Sequence, residues 1–211
     1  MADILDRALN TAQLEGASYA DARLVESRSQ WIEVKNRRVS ALQESAGLGL
    51  GVRVIVDGAW GFAGVADVSA AEVEAAARLA CRVARAGAPH RRAPVALASV
   101  AAAVARYATP LARDPFEVPL ADKIALLIEA TGRMEAEKAV RVAQGNLQFW
   151  EERKRFASTE GARLEQRIVH SGAGLTACAV GDQDMQVRSY PNSFGGQYEA
   201  AGWELVERLD L

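Results

Sequence analysis

The chain has 211 residues and a mass of 22.6 kDa; half its residues are apolar, a quarter are charged, and its formal net charge is -2. This balance belongs to a globular chain of one large domain or two small ones, and it excludes disordered and fibrous classes. The near-neutral charge supplies no global field for nucleic acid or anionic membranes.

A chain this long buries roughly 70% of its unfolded surface, so it needs no metal or disulfide staple to fold. Alanine is about one residue in five and aromatics are only 6%, which predicts a finely packed core around a few bulky anchors. Cys81 and Cys178 lie far apart and do not form a disulfide framework. The charged stretch MADILDRALN does not read as a secretory leader, and no run of 18 apolar residues is present to span a bilayer. A cytoplasmic location without membrane contact is expected.

Residues 3–15 place Ile4, Leu5, Ala8, Leu9 and Ala12 at helical spacing, and Gly16 is a natural stop. From Tyr19 the period changes. Ala20, Ala22 and Leu24 alternate with Asp21, Arg23 and Val25, as in a strand. Trp31, Glu33 and Lys35 predict a second strand, with a turn at Asn36. Residues 40–44 and 48–56 predict two more. Asp57-Gly58 lies between the apolar runs VRVIV and AWGFAGV, a hairpin signal. Residues 19–66 therefore predict an antiparallel meander.

Ser69-Ala70-Ala71-Glu72 matches a capping box, in which hydroxyl and carboxylate each satisfy an orphan N–H. The helix behind it carries Val73, Ala76, Ala77, Ala80 and Val83 on one face and Glu72, Arg78, Arg82 and Arg85 mostly on the other, ending near Gly87. Residues 88–118, with Pro89, Pro94, Pro110 and Pro115, predict a loop-rich connection. Pro119 opens a third helix with Leu120, Ile124, Leu127, Ile128 and Met134. Strands are expected again at 140–150, 162–171, 175–180 and 185–190. Residues 198–211 start a helix whose apolar face (Trp203, Leu205, Val206, Leu209) is still running at Leu211, which predicts a fold incomplete there.

Residues 22–54 and 140–178 share an order: a strand, a Trp at a turn into a charged strand, an apolar-alternating strand, a small-residue turn. Trp31 corresponds to Trp150 and Gly47-Leu48 to Gly174-Leu175. The common look of any two meanders explains this more readily than duplication. The fold class is α+β in both cases, antiparallel sheet with helices packed on it.

Two histidines limit the chemistry. Neither His90 nor His170 has a following Glu or a second His one turn away, so the paired imidazoles of a zincin helix are missing. His90 reads as solvated and His170 as a structural residue ending a strand; both thiols read as small packed hydrophobes. Gly172-Ala173-Gly174-Leu175-Thr176-Ala177 matches G-x-G-x-x-A, but no helix can follow before Gly181 to hold a pyrophosphate. Gly47, Gly49 and Gly51 strip one face of a strand. Tight packing against a helix is the favoured explanation, and a peptide or partner strand on that face is the functional one. The clusters Lys35/Arg37/Arg38 and Arg153/Lys154/Arg155, the second flanked by Trp150 and Phe156, suit a charge-protected strand edge better than nucleic acid. No nucleophile elbow or Walker loop occurs, and acids such as Glu160, Glu165 and Asp184 cannot be paired from sequence.

Three stretches in this order resemble the N-terminal half of the TldD/PmbA family, also called modulators of DNA gyrase: AGLGLGVRVIVDGAWGFAGVADVS, FWEERKRFASTEGARLEQ and HSGAGLTA. The signature runs from the glycine-alternating strand and Arg53 through Asp57-Gly58 and Trp60-Gly61-Phe62-Ala63 to Ser158-Thr159-Glu160-Gly161. It spans about residues 2–209 and leans towards TldD. The resemblance implies a cytoplasmic zinc metallopeptidase of two related subunits that degrades or trims unfolded peptides. Family zinc is held by a His-Glu-x-x-x-His helix and a later Cys, in the half following this region. No catalytic residue and no metal ligand can therefore be assigned here, and no cofactor is expected in this chain, with zinc expected in the full-length protein.

The reading that follows is a TldD-like N-terminal domain over residues 1–211, with sub-segments 1–88 (helix, meander, helix), 89–118 (connection) and 119–211 (helix, meander, helix start). It is expected to be inert alone, to assemble with a TldD/PmbA-type subunit or its own catalytic half, and to hold an unfolded peptide by strand addition. Arg53, Trp60, Phe62, Glu160 and Gly161 are the candidate peptide-binding residues; the bland alternative makes them core and turn residues. A non-catalytic peptide- or protein-binding module is the second reading, and a nucleic-acid-linked regulator the third.

Overall fold

The computed structural model describes residues 3–192 and 195–211. Met1 and Ala2, which begin the charged N-terminal stretch, and Ser193 and Phe194 lie outside the described residues. The elements in chain order are α1 (Ile4–Leu14), β1 (Tyr19–Lys35), β2 (Arg38–Val56), β3 (Ala59–Val65), α2 (Ala70–Gly87), β4 (Val104–Ala108), α3 (Leu120–Glu135), β5 (Val140–Ser158), β6 (Arg163–Val180), β7 (Met185–Tyr190), β8 (Gln197–Glu199) and α4 (Glu204–Leu209). Strands hydrogen-bond in the order β3-β2-β1-β5-β6-β4, and β7 and β8 also pair with β6. The class is α+β, as the sequence predicts.

Local chemistry accounts for the element ends. The Asp3 carboxylate caps α1 by accepting from the Leu5 N–H. Ser69 caps α2 through the Glu72 N–H. The reciprocal half of the capping box differs from expectation, because the Ser69 N–H donates to Asp67 instead. Asn36-Arg37 and Asp57-Gly58 all have positive φ, which is the requirement of the tight turns that match strand twist.

Four expectations need correction. The predicted breaks within 19–35 and 38–56 do not exist; β1 and β2 are each continuous, and so is β6 across 171–175. Trp31 and Trp150 consequently sit within strands rather than at turns. The connection 88–118 contains β4, whose residues are all exposed and so carry no alternation to betray a strand. The final helix is short. It ends at Asp210 in a left-handed conformation, and Trp203, Leu205, Val206 and Leu209 are buried, so its apolar face is not left open.

The chain divides into two compact units of interleaved segments: Met1–Ser27, Gly47–Tyr107 and Glu152–Arg167 form unit 1, and Arg28–Ala46, Ala108–Glu151 and Ile168–Leu211 form unit 2. In unit 1, α1 and α2 lay Leu5, Leu9, Val73, Ala77 and Ala80 on Leu50, Val52 and Val54 of β2. Alanine-rich helix faces permit close approach. A Cβ at Gly61 of β3 would overlap the backbone of Ala80 and Ala84 in α2, so only glycine fits there. In unit 2 the anchor is Phe149 of β5, which meets the rings of Phe116 and Trp203 at centroid distances of 6.4 and 5.9 Å. Ile32, Val34, Leu127, Leu147 and Leu205 complete that core.

Unit 2 also buries a cation. Lys123 is 1% exposed, and its ammonium donates to Gln30 Oε1 at 2.6 Å and lies 4.6 Å from the Phe149 ring centre. Gln30 in turn donates to the Glu44 carboxylate. Burial outweighs the attraction of Glu44 and Asp114 and lowers the Lys123 pKa to about 8.

Two outcomes follow. Gly61→Ala should lower stability by about 1–3 kcal/mol through overpacking against α2, read as a fall in the urea midpoint. Between its folded pKa of about 8 and the unfolded model value of 10.5, Lys123 binds fewer protons folded than unfolded, so it makes stability rise with pH. The difference in urea midpoint between the parent and Lys123→Met should therefore shift in the parent's favour as pH rises through that window; a constant difference would refute the assignment.

Candidate functional site

Side chains alternate across the strands of unit 1, and this separates two faces. Ala20, Ala22, Leu50, Val52, Val54 and Ala63 point to the helices. Tyr19, Asp21, Arg23, Gly49, Gly51, Arg53, Trp60 and Phe62 take the intervening positions on the open face. The β2–β3 register sets Arg53 opposite Phe62 and Ile55 opposite Trp60.

The organising group on this face is the Asp21 carboxylate, 2% exposed. One oxygen accepts from Arg53 Nε at 2.8 Å, Arg53 Nη2 at 2.6 Å and the Tyr19 hydroxyl at 2.9 Å. The Arg53 guanidinium lies 4.7 Å from the Trp60 ring centre, and Tyr19 meets Trp60 edge-on at 6.0 Å. Burial pushes the Tyr19 pKa up, and its hydrogen bond to Asp21 adds to that, while Arg53 opposes. Burial works against the Arg53 charge, but the bonds and charge of Asp21 outweigh it and raise its pKa. The result is a guanidinium bonded through its edge to a carboxylate and placed over an indole.

Beside this cluster runs a groove of about 640 Å³, lined by residues that include Asp21, Arg23, Leu48, Gly49, Gly51, Arg53, Phe62 and Gly64. The glycine strand does not pack on a helix, contrary to the favoured expectation. Atoms nearest to a Cβ at Gly47, Gly49 and Gly51 belong to Ser27, Val65 and Phe62, all from β1 and β3. Gly51 makes room for the Phe62 ring, which stays 62% exposed. A second groove of about 220 Å³ is lined by Arg23, Lys154, Phe156, Leu164 and Gln166. Arg23 lines both and lies 5.4 Å from the Phe156 ring centre.

The structure thus brings together Arg53, Trp60 and Phe62. It places Glu160 and Gly161 elsewhere, in the β5–β6 turn, lining neither groove. That turn is anchored to β1, because Thr159 N–H donates to the Ala20 carbonyl and Thr159 Oγ1 accepts from the Ala20 N–H. Gly161 has φ of +91°, so it is a turn requirement. Tyr19, Asp21 and Arg23 were missed by the sequence reading. Their signal was the polar half of the β1 alternation, but the pairing of Asp21 with Arg53 depends on strand neighbours that alternation does not specify.

The remaining candidates resolve as follows. His90 is exposed in the short turn Ala88–His90, and Cys81 is buried, its thiol donating to the Ala12 carbonyl at 3.9 Å with its pKa raised by burial. His170 lies within β6, not at its end, and stacks on Trp150 at 5.0 Å. Cys178 is half-buried opposite Val187. Among the described residues, no group of three or more His, Cys, Asp or Glu is placed to hold a metal ion. These side chains do not fit a zinc site, and no step here is routed through one. Gly172 lies mid-strand, where a Cβ would overlap the Tyr198 ring, so the glycine pattern serves packing. The basic run 153–155 is split by alternation: Lys154 pairs with Glu152 at 2.7 Å, whereas Arg155 reaches Asp3 at the start of α1. No described helix is long and apolar enough to cross a membrane.

Asp21→Asn should cost about 1–3 kcal/mol, because it removes the buried negative charge that pairs with Arg53 and weakens the bonds from Arg53 and Tyr19 to neutral ones. It should also lower the pH at which Tyr19 ionises, since the carboxylate's upward push is lost while Arg53 still favours phenolate. Phenolate absorbance of Asp21→Asn against Tyr19→Phe reads this directly.

The chain matches two family models: PmbA/TldA metallopeptidase domain 1 over residues 20–84, and PmbA/TldA metallopeptidase central domain over residues 113–210. It is 26% identical over 155 residues to a metalloprotease of Methanocaldococcus jannaschii, covering 74% of this chain and 34% of that protein. It is 25% identical over 193 residues to a metalloprotease of Methanothermobacter thermautotrophicus, covering 92% of this chain and 40% of that protein. Its fold is similar to the crystal structure of a Bacteroides thetaiotaomicron protein described as a modulator of DNA gyrase (TM-score 0.71, 14% identity, 98% of this chain, 48% of that one). It is also similar to TldE from Thermococcus kodakarensis (TM-score 0.69, 14% identity, 99% of this chain, 46% of that one). The chain thus spans less than half the length of each of these proteins. With the two family models together matching well over half of its residues, the chain belongs to the TldD/PmbA family.

Proposed function

We propose that residues 1–211 are the N-terminal, substrate-channel and subunit-assembly domain of a TldD-like zinc metallopeptidase acting on unfolded peptides in the cytoplasm, with the catalytic half absent from this chain. The observation that carries this is the pair of family matches, first domain and central domain, on a chain that covers 34% and 40% of relatives named metalloprotease. The domain's work is to assemble with a TldD/PmbA-type subunit or with its own catalytic half and to hold the peptide. The terminal position of β3 in the sheet order suits main-chain pairing, which grips without regard to sequence. Trp60 and Phe62 lie on that strand and Arg53 on its neighbour β2, and Glu160 and Gly161 contribute a separate turn. Zinc chemistry belongs to ligands that the other half supplies.

A second reading, a non-catalytic peptide- or protein-binding module, is favoured by the buried face of α4. One experiment separates the two. The purified chain with added zinc should cleave no unfolded peptide, and mixing it with a family catalytic half carrying His-Glu-x-x-x-His should yield a stable complex with zinc-dependent cleavage. Cleavage by the chain alone would refute the proposal, and failure to form any complex would favour the module.

A further inference from the structure

The open face of unit 1 carries an unbalanced charge at one place. Its two grooves are lined by three cations, Arg23, Arg53 and Lys154, and one carboxylate, Asp21. Arg53 is satisfied by two bonds to Asp21, and Lys154 by Glu152. Arg23 has a weaker contact: its Nε lies 3.8 Å from Asp21, whose other oxygen is already committed, and its side chain is 51% exposed. It is also the residue that lines both grooves, with the Phe62 ring on one side and Phe156 and Leu164 on the other.

We infer that Arg23 docks an acidic side chain of an extended polypeptide segment that crosses the open face of unit 1, with apolar residues of that segment entering the grooves on both sides of it. Charge complementarity selects a carboxylate, because the surplus guanidinium lies between apolar walls. Room on both sides of Arg23 selects a carboxylate within a chain rather than a terminal one, since a terminus would leave one groove unfilled. This rests on the reading that the domain holds an extended polypeptide, and concerns the sheet face rather than the edge of β3.

The probe is a fluorescein-labelled, C-terminally amidated peptide with one glutamate flanked by leucine and phenylalanine, read by fluorescence anisotropy at low ionic strength. It should bind the intact chain about fivefold tighter than its glutamine counterpart, the scale of one exposed ion pair. The preference should vanish in Arg23→Gln, survive in part in Arg23→Lys and weaken with salt. The glutamine peptide with a free C-terminal carboxylate should gain nothing. Equal binding of the glutamate and glutamine peptides, a preference that persists in Arg23→Gln, or equal rescue by the free terminus would each overturn the inference while leaving peptide binding intact. Absence of binding by every peptide would overturn both. Displacement of the peptide by a single-stranded oligonucleotide would overturn it in favour of a nucleic-acid surface.

Discussion

Unit 1 depends on the two-residue period of its strands. Successive side chains of a strand leave on opposite faces, so each strand must serve two environments at once. β1, β2 and β3 send alanine and valine to the helices and keep the intervening residues for the open face. Small side chains do this on the helix side, where α2 comes so close to β3 that Gly61 is obligatory. Glycine does the opposite work on the other face. At Gly49 and Gly51 the missing side chains leave a trough into which Phe62 leans without closing it. The same device of subtraction therefore makes a dense core on one side and an open groove on the other.

Electrostatics then gives that groove a fixed wall. A buried carboxylate is costly unless hydrogen-bonded and paired. Asp21 meets both conditions with Arg53 and Tyr19, and the guanidinium also lies over the indole of Trp60. Fixing Arg53 in this way removes it from competition for a ligand's charge and leaves Arg23 as the less constrained cation. Unit 2 solves a related problem differently. Lys123 has a neutral amide and an aromatic ring as its nearest partners, so burial dominates and its charge is weakened. An arginine beside a carboxylate and a lysine beside an amide thus end with pKa values moved in opposite directions.

Chemical reactivity is not distributed through these units in the same manner. The histidines and cysteines are spent on separate local tasks: stacking on Trp150, packing beneath α1, exposure in a turn. A family named for metallopeptidases is here represented by its first and central domains, and among the described residues no group of three or more His, Cys, Asp or Glu is placed to hold a metal ion.

Much of this was legible in the residues. Helical spacing located α1, α2 and α3, the turn signals at Asn36 and Asp57-Gly58 were met by positive φ, and the order of glycine and aromatic words indicated the family. The α+β class followed from these alone. Continuity of β1, β2 and β6 was not legible, because long strands pass through positions where burial changes and the alternation fades. β4 is held by backbone pairing to β6 with all its side chains exposed, so no pattern marks it. For the site, Arg53, Trp60 and Phe62 could be named from the sequence. Their assembly with Tyr19, Asp21 and Arg23, and their separation from Glu160 and Gly161, was decided by which strands lie side by side. That is a property of the sheet's pairing order, which brings residues together across gaps of more than 30 positions, and local periodicity carries no information about it.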